Sequence, residues 1–239
     1  MSGVSDAIKA ILFDKDGTLF DFRGTWDAWA AGFLPELSGG DADVLAELAR
    51  VLSFDLKSQA FLPNSVVIAG SNREISRMIA RVLKRKDVAI VEQELADSAA
   101  KAPLAPVVEL APFLSGLKQA GYKLGVMTND AHSVADAHLK SAGVHELFDF
   151  ICGSDSGFGA KPEPEPLLAF CSHVQVGPFH TVMLGDSAHD LQAARAAGMA
   201  GVGVLTGVAR APELAPLADA VLNNISELPA WLDQKAMRR

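Results

Sequence analysis

Short apolar runs alternate with longer amphipathic stretches along most of this chain, and that alternation constrains its fold more than any other feature. The runs are IKAILFD (8–14), YKLGVMT (122–128), FDFICG (148–153), TVMLGD (181–186), GVGVLT (201–206) and DAVLNN (219–224). Several are apolar on both faces, which is how strands read when helices cover both sides of a parallel sheet. The stretches at 107–120, 131–142, 163–174 and 188–197 have helical periodicity and supply the crossovers. The expectation is an α/β fold built on a doubly wound, mainly parallel sheet.

The rhythm breaks between residues 20 and 105, where there is no convincing strand and several amphipathic helical patterns occur. Trp26, Trp29 and Phe33 fall at i, i+3 and i+7, and Ile75, Met78, Ile79 and Val82 repeat at helical spacing. These stripes read as the core of an inserted helical module. The basic run Arg81–Lys86 reads as a solvated helix end, where the helix dipole favours positive charge. Pro103 and Pro106 mark the return, so residues 1–19 and 106–239 are expected to form one domain and residues 20–105 a second.

Composition excludes several classes of function. Of 239 residues 49% are hydrophobic and 21% charged, so there is enough apolar material to offset the entropy of folding. No run approaches the roughly 20 apolar residues of a membrane span. Asp6 and Lys9 interrupt the start where a signal peptide needs an apolar stretch, so a cytoplasmic chain is expected. A net charge of −8 repels phosphate backbones, and nucleic acid is not an expected partner. Cys152 and Cys171 lack CxxC or nearby histidine pairs and read as buried apolar residues.

Four segments carry candidate chemistry. The first strand ends in Asp14-Lys15-Asp16-Gly17-Thr18. In an extended chain Asp14 and Asp16 project to one side and Lys15 away from them, and Gly17 allows a sharp turn; Asp and Gly are also common turn residues. Thr128-Asn129-Asp130 places a hydroxyl and backbone N–H groups after the next strand, although any of the three could simply cap a helix. Lys161 lies in Gly159-Ala160-Lys161-Pro162, with Pro162 suited to a helix's first turn, where the dipole favours an anion. No Gly-Lys-Ser/Thr follows, so this is not a P-loop. In Gly185-Asp186-Ser187-Ala188-His189-Asp190 the pair Ser187 and Asp190 resembles a capping box, which leaves Asp186 unexplained. The six histidines read as solvated or structural. All four segments fall at the carboxyl ends of strands or at adjoining helix starts, where open α/β sheets bind ligands. Asp14, Asp16, Asp186 and Asp190 set four negative charges against that of Lys161, a grouping that calls for a hard cation such as Mg²⁺.

In this order and with a helical insertion after the first, DKDGTLF, VMTN, the lysine of GAKPEP and GDSAHD resemble the four motifs of the haloacid dehalogenase-like hydrolase superfamily. The chain is most similar to the phosphoglycolate phosphatase-like group, which has a Rossmann-like core and a helical cap domain. The resemblance implies Asp14 as a nucleophile forming an aspartyl-phosphate and Asp16 as the acid and base. It implies Thr128, Asn129 and Lys161 at the phosphoryl group, and Mg²⁺ held by Asp14, Asp186 and the carbonyl of Asp16. Asp190 would orient Lys161 or a metal-bound water. A carboxylate at Asp16 favours phosphate-ester cleavage over the superfamily's dehalogenases. Lys15 departs from the pattern, which commonly has an apolar residue there, and no catalytic role is expected for it. A helical cap suits a small phosphorylated metabolite, and Gly70-Ser71-Asn72-Arg73 resembles the cap loop that touches the leaving group. Asn72 and Arg73 are the candidate contacts, with Arg73 either reading a carboxylate or simply solvated. A monomer or homodimer is expected. The alternatives are a sugar phosphomutase of the same superfamily and a non-enzymatic receiver-like domain.

Overall fold

Strand β1 (Ala10–Phe13) is apolar and buried at every position, and its side chains divide by parity between two cores. Ile11 and Phe13 join one apolar cluster, Ala10 and Leu12 another on the opposite face. The chain's structure is a computed structural model that describes residues 7–68 and 70–237. Asp6, on which part of the leader argument rests, and the outermost ends of the 1–19 and 106–239 segments lie outside the described residues, as does Ala69 within the insertion.

The remaining strands of the sheet are β4 (Lys123–Met127), β5 (Phe150–Cys152), β6 (Thr181–Gly185), β7 (Ala200–Val204) and β8 (Ala220–Leu222). They stand in the order β5-β4-β1-β6-β7-β8 with every pairing parallel. Helices α5 (Leu110–Gln119), α6 (His132–Ser141) and α9 (Leu228–Met237) bring Leu114, Leu139 and Leu232 to one face; α7 (Glu165–Val174) and α8 (Ala188–Ala197) bring Phe170 and Ala194 to the other. The doubly wound parallel sheet expected from the sequence is therefore present. The order in which strands are added reverses at β1, which pairs Phe13 with Val126 on one side and with Leu184 on the other. Asp14, Thr128 and Asp186 thus leave the sheet side by side at its carboxyl edge.

After β1 the chain enters a π-helical turn (Arg23–Asp27), then α1 (Ala28–Ser38), α2 (Ala42–Val51), α3 (Asn72–Val82) and α4 (Val88–Ala99). Asp41 and Asp87 accept hydrogen bonds from the first free N–H groups of α2 and α4, and Ser71 with Glu74 forms a capping box on α3. Trp26, Leu34, Leu48, Phe61, Ile79 and Leu95 pack into their own cluster, which Ala131 and Val134 at the start of α6 join to the rest of the molecule. Phe20 and Pro106 form an isolated bridge where the two crossing segments meet. Arg81 and Lys84 to Lys86 are exposed at the end of α3, and Cys152 and Cys171 are buried free thiols.

Two local expectations need correction. Residues 20–105 do contain strands, β2 (Phe54–Asp55) and β3 (Ala60–Phe61), paired antiparallel. Two-residue strands are too short to show an alternating pattern; this hairpin is held by tertiary contact, with the Phe54 and Phe61 rings 5.0 Å apart and Phe61 N–H donating to Asp27 Oδ1 at 2.9 Å. The helix after Lys161 begins at Glu165, not at Pro162, and Pro166 occupies its first turn. Of three closely spaced prolines the last opens the helix, so Lys161 stands in the preceding loop. Among the described residues no helix is long and apolar enough to cross a membrane.

Candidate active site

Asp14 lies one residue beyond β1, where its N–H still donates to the Leu184 carbonyl at 2.8 Å. Its side chain is almost wholly buried, and Lys161 Nζ donates to Asp14 Oδ1 and to Asp190 Oδ1, each at 2.6 Å. Asp190, in the first turn of α8, also accepts from Ser187 N–H at 3.0 Å and from Ser187 Oγ at 2.6 Å. One carboxylate therefore both caps α8 and holds Lys161. Asn129 fixes the lysine's backbone from the other side, donating from Nδ2 to the Lys161 carbonyl and accepting Lys161 N–H at Oδ1, both at 2.9 Å. The Asn129 side chain thus positions Lys161, and the residue also lines the cavity in which a phosphate would sit. Thr128 is buried beside it and accepts from Asp130 N–H at 3.1 Å.

Carboxylate oxygens of Asp14, Asp186 and Asp190 lie within 4.8 Å of one another. Gly17, at φ +76°, lets the chain turn back against Asp186, where a Cβ would come within 2.5 Å of the carboxyl group. Burial pushes the Asp14 carboxyl up to about 7 despite the opposing pull of Lys161, with Asp190 and Asp16 adding to the rise. Burial and then the charge of Asp14 raise Asp186 well above the ordinary carboxylate range. Lys161 is also shifted up: burial alone would lower it, but Asp14 and Asp190 together outweigh that. Three buried carboxylates against one ammonium is an underneutralised, all-oxygen set, and hard divalent cations such as Mg²⁺ favour such donors. The residues fit the expected ion, with Asp14 and Asp186 as the side chains that would hold it, since Asp190 is already shared between Lys161 and Ser187.

Asp16 and Lys15 correct the sequence reading. Lys15 is fully buried and does not point away: its Nζ lies 2.8 Å from Asp16 Oδ1 and 2.7 Å from Oδ2. Strand parity stops at Phe13. The Leu19 and Phe20 N–H groups both return to the Lys15 carbonyl, so residues 15–20 form a turn in which neighbouring side chains can meet. Lys15 also lies 3.4 Å from Asp130 Oδ2 and 3.1 Å from His138 Nδ1. His138 Nε2 sits 2.8 Å from the Ala99 carbonyl, which can only accept, so Nε2 carries the proton and Nδ1 accepts from Lys15. Burial, reinforced by Lys15, lowers His138 to about 4 and keeps it neutral, and burial lifts Asp130 to about 6. Trp26 Nε1 donates to Asp16 Oδ1 at 2.8 Å, so the insertion touches the carboxylate directly.

Lys15, Asp130, His138 and Trp26 surround Asp16, a cluster that the sequence reading did not assemble. The one available signal was Lys15, a charge where the family pattern is commonly apolar. Trp26 was visible only as an apolar stripe residue, and its indole N–H could not be placed.

Between the insertion and the sheet edge lies a cavity that is partly open to solvent. Asp14, Asp16, Thr128, Lys161, Ser187 and His189 are among the residues that line its floor, and Asn72 lines its wall. Asn72 N–H also donates to the Asn129 carbonyl at 3.4 Å, a further contact between wall and floor. Arg73, the next residue, is exposed on α3 and is not part of the lining.

Residues 8–198 match the family model for haloacid dehalogenase-like hydrolases. The chain belongs to that family. Its relatives among the haloacid dehalogenase-like hydrolases include several phosphoglycolate phosphatases, which places it with the phosphoglycolate phosphatase-like members and makes it a phosphatase. It is 32% identical over 244 residues to a plasmid-borne phosphoglycolate phosphatase of Cupriavidus necator, covering 97% of this chain and 96% of that one. It is also 32% identical over 227 residues to the phosphoglycolate phosphatase of Caulobacter vibrioides, across 92% and 88% of the two chains. A probable phosphatase of Dickeya dadantii, IndB, is 31% identical over 198 residues, across 83% and 81%. The crystal structure of CbbY from Rhodobacter sphaeroides in complex with phosphate superposes with a TM-score of 0.67 at 24% identity, covering 95% of this chain and 99% of that one, a likeness of fold.

Proposed function

We propose that this phosphatase hydrolyses a small phosphate monoester in two steps through an aspartyl-phosphate on Asp14, and that it requires Mg²⁺. The observation that carries the reading is Lys161, which contacts Asp14 and Asp190 at 2.6 Å beside the buried carboxylate of Asp186. The ammonium opposes the burial that raises Asp14, favouring the ionised form a nucleophile needs, and stands where phosphoryl oxygens would arrive. Asp14 attacks phosphorus while Asp16 donates a proton to the leaving alkoxide; Asp16 then takes a proton from the water that cleaves the acyl phosphate. Thr128 would donate its hydroxyl to a phosphoryl oxygen. Mg²⁺, bound by Asp14, Asp186 and the Asp16 carbonyl, would neutralise phosphoryl charge that one lysine cannot.

Residues 20–105 act in this reading as a cap over the domain formed by 1–19 and 106–239, limiting entry to small esters and excluding water. The relatives named for phosphoglycolate make that ester the first substrate to assay. The mechanism is tested by acid-quenching the enzyme during turnover of a ³²P-labelled ester. Protein-bound label that hydroxylamine releases, and that is absent from Asp14→Asn, is expected. Steady phosphate release without labelled protein, or label persisting in Asp14→Asn, would overturn the covalent route.

A further inference from the structure

The wall and the floor of the cavity differ in chemistry. Its charged lining residues, Asp14, Asp16, Asp130 and Lys161, all belong to the floor. Among the described residues, those that the insertion contributes to the wall carry no charge at all. Trp29, Phe33, Val67, Ile68 and Ile75 line it while only half-buried, so they keep apolar surface that the insertion's own core does not cover. Phe33 stacks on Trp29 with centroids 4.9 Å apart, and Trp29 Nε1 is spent on Ser98 Oγ at 3.0 Å, so the indole's hydrogen-bonding need is met outside the cavity.

A carboxylated leaving group finds no cation on the wall. Arg73 and Arg77 are exposed on α3 and stand outside the lining. Lys161 is held by Asp14 and Asp190, and Lys15 by Asp16 and Asp130. The two latter carboxylates sit where the floor meets the wall and repel a further anion. Moving a carboxylate from water into such surroundings without a cation is strongly unfavourable, whereas an apolar group gains free energy from every area of water it displaces.

We infer that the ester this enzyme takes carries an uncharged, apolar leaving group of aromatic size, seated against Trp29, Phe33 and Ile75, and not a carboxylate. This rests on the phosphatase reading and names its substrate class.

The test compares phosphate release, with Mg²⁺ present, from phosphoglycolate, ethyl phosphate and benzyl phosphate, all esters of primary alcohols. Benzyl phosphate is expected to exceed both others in kcat/KM by about tenfold to a hundredfold, the scale of burying one ring. In Ile75→Arg, which places a cation in the wall, the ratio of benzyl phosphate to phosphoglycolate should fall by about tenfold or more. Because it is a ratio within one preparation, it does not depend on the fraction of the variant that folds. Phosphoglycolate equal to or better than benzyl phosphate, or a ratio unmoved in Ile75→Arg, would overturn the inference and leave the phosphatase standing. No release from any ester would overturn both.

Discussion

The floor and the wall of the cavity meet at Asp16, and they solve opposite problems. The floor gathers buried charges that are tolerable only as a network: Lys161 bridges Asp14 and Asp190, and Asn129 and Ser187 hold the members in place. The wall has almost no polar obligations, and its side chains come from separate helices that pack by shape. Losing one member of the floor leaves a charge uncompensated, which costs far more than trimming one apolar contact. Reaction chemistry is therefore expected to be intolerant of change, and leaving-group preference adjustable by single substitutions in the wall.

The largest effect expected from breaking this contrast is that of Asp14→Asn. It keeps the shape of the floor but removes the nucleophile, and turnover measured by phosphate release should fall by more than about a thousandfold. A circular dichroism spectrum matching that of the parent would show that the fold is retained.

Removing divalent cation tests the floor as a charge balance. Burial raises Asp14 from its ordinary value of 3.8 to about 7, and Asp186 moves in the same direction. The folded chain without a cation then binds more protons than the unfolded one, so its stability falls as pH rises from about 4 through 7. A cation that binds the ionised carboxylates should recover that loss. The rise in Tm on adding Mg²⁺ is expected to be several degrees larger at pH 8 than at pH 5, and chelation should abolish activity reversibly. An equal rise at both pH values would count against these carboxylates as the metal site.

Lys15→Met probes the junction of floor and wall. It leaves Asp16 and Asp130 without their ammonium, and breaking such a buried pair should destabilise the fold by about 3 kcal/mol in urea unfolding. Activity should fall by about tenfold as Asp16 loses its fixed position. Adding Asp130→Asn to Lys15→Met should restore part of the stability, since one uncompensated charge is then gone. Full additivity of the two changes would show that Lys15 and Asp130 do not interact.

The smallest effect expected is that of Arg73→Ala. Exposed and outside the lining, Arg73 should alter kcat/KM for phosphoglycolate by less than about twofold. A tenfold loss confined to phosphoglycolate would restore the carboxylate-reading role that its place in the sequence suggested.

Much of the fold was legible because it depends on local periodicity. Strands buried on both faces read as continuous apolar runs, and every expected strand of the sheet forms within a residue or two of its expected bounds. The meeting of Asp14 and Asp186 was legible for a related reason: parallel strands deliver whatever follows them to one edge, whereas Lys161 reaches that edge from a loop well beyond β5. The hairpin at Phe54 and Phe61 was not, because two residues carry no period. Tertiary structure alone decided where Lys15 points, since its direction follows from the turn that Leu19 and Phe20 close on its carbonyl. It alone decided that Asn129 serves the lysine's backbone, and that the indole of Trp26 reaches Asp16 across the cavity. Asn129 and Lys161 lie 32 residues apart, and the His138 that Lys15 meets lies 123 away. The Trp26 contact spans only 10 residues but crosses from helix to sheet edge, and such geometry is set when helices and sheet pack, which no pattern of neighbouring residues encodes.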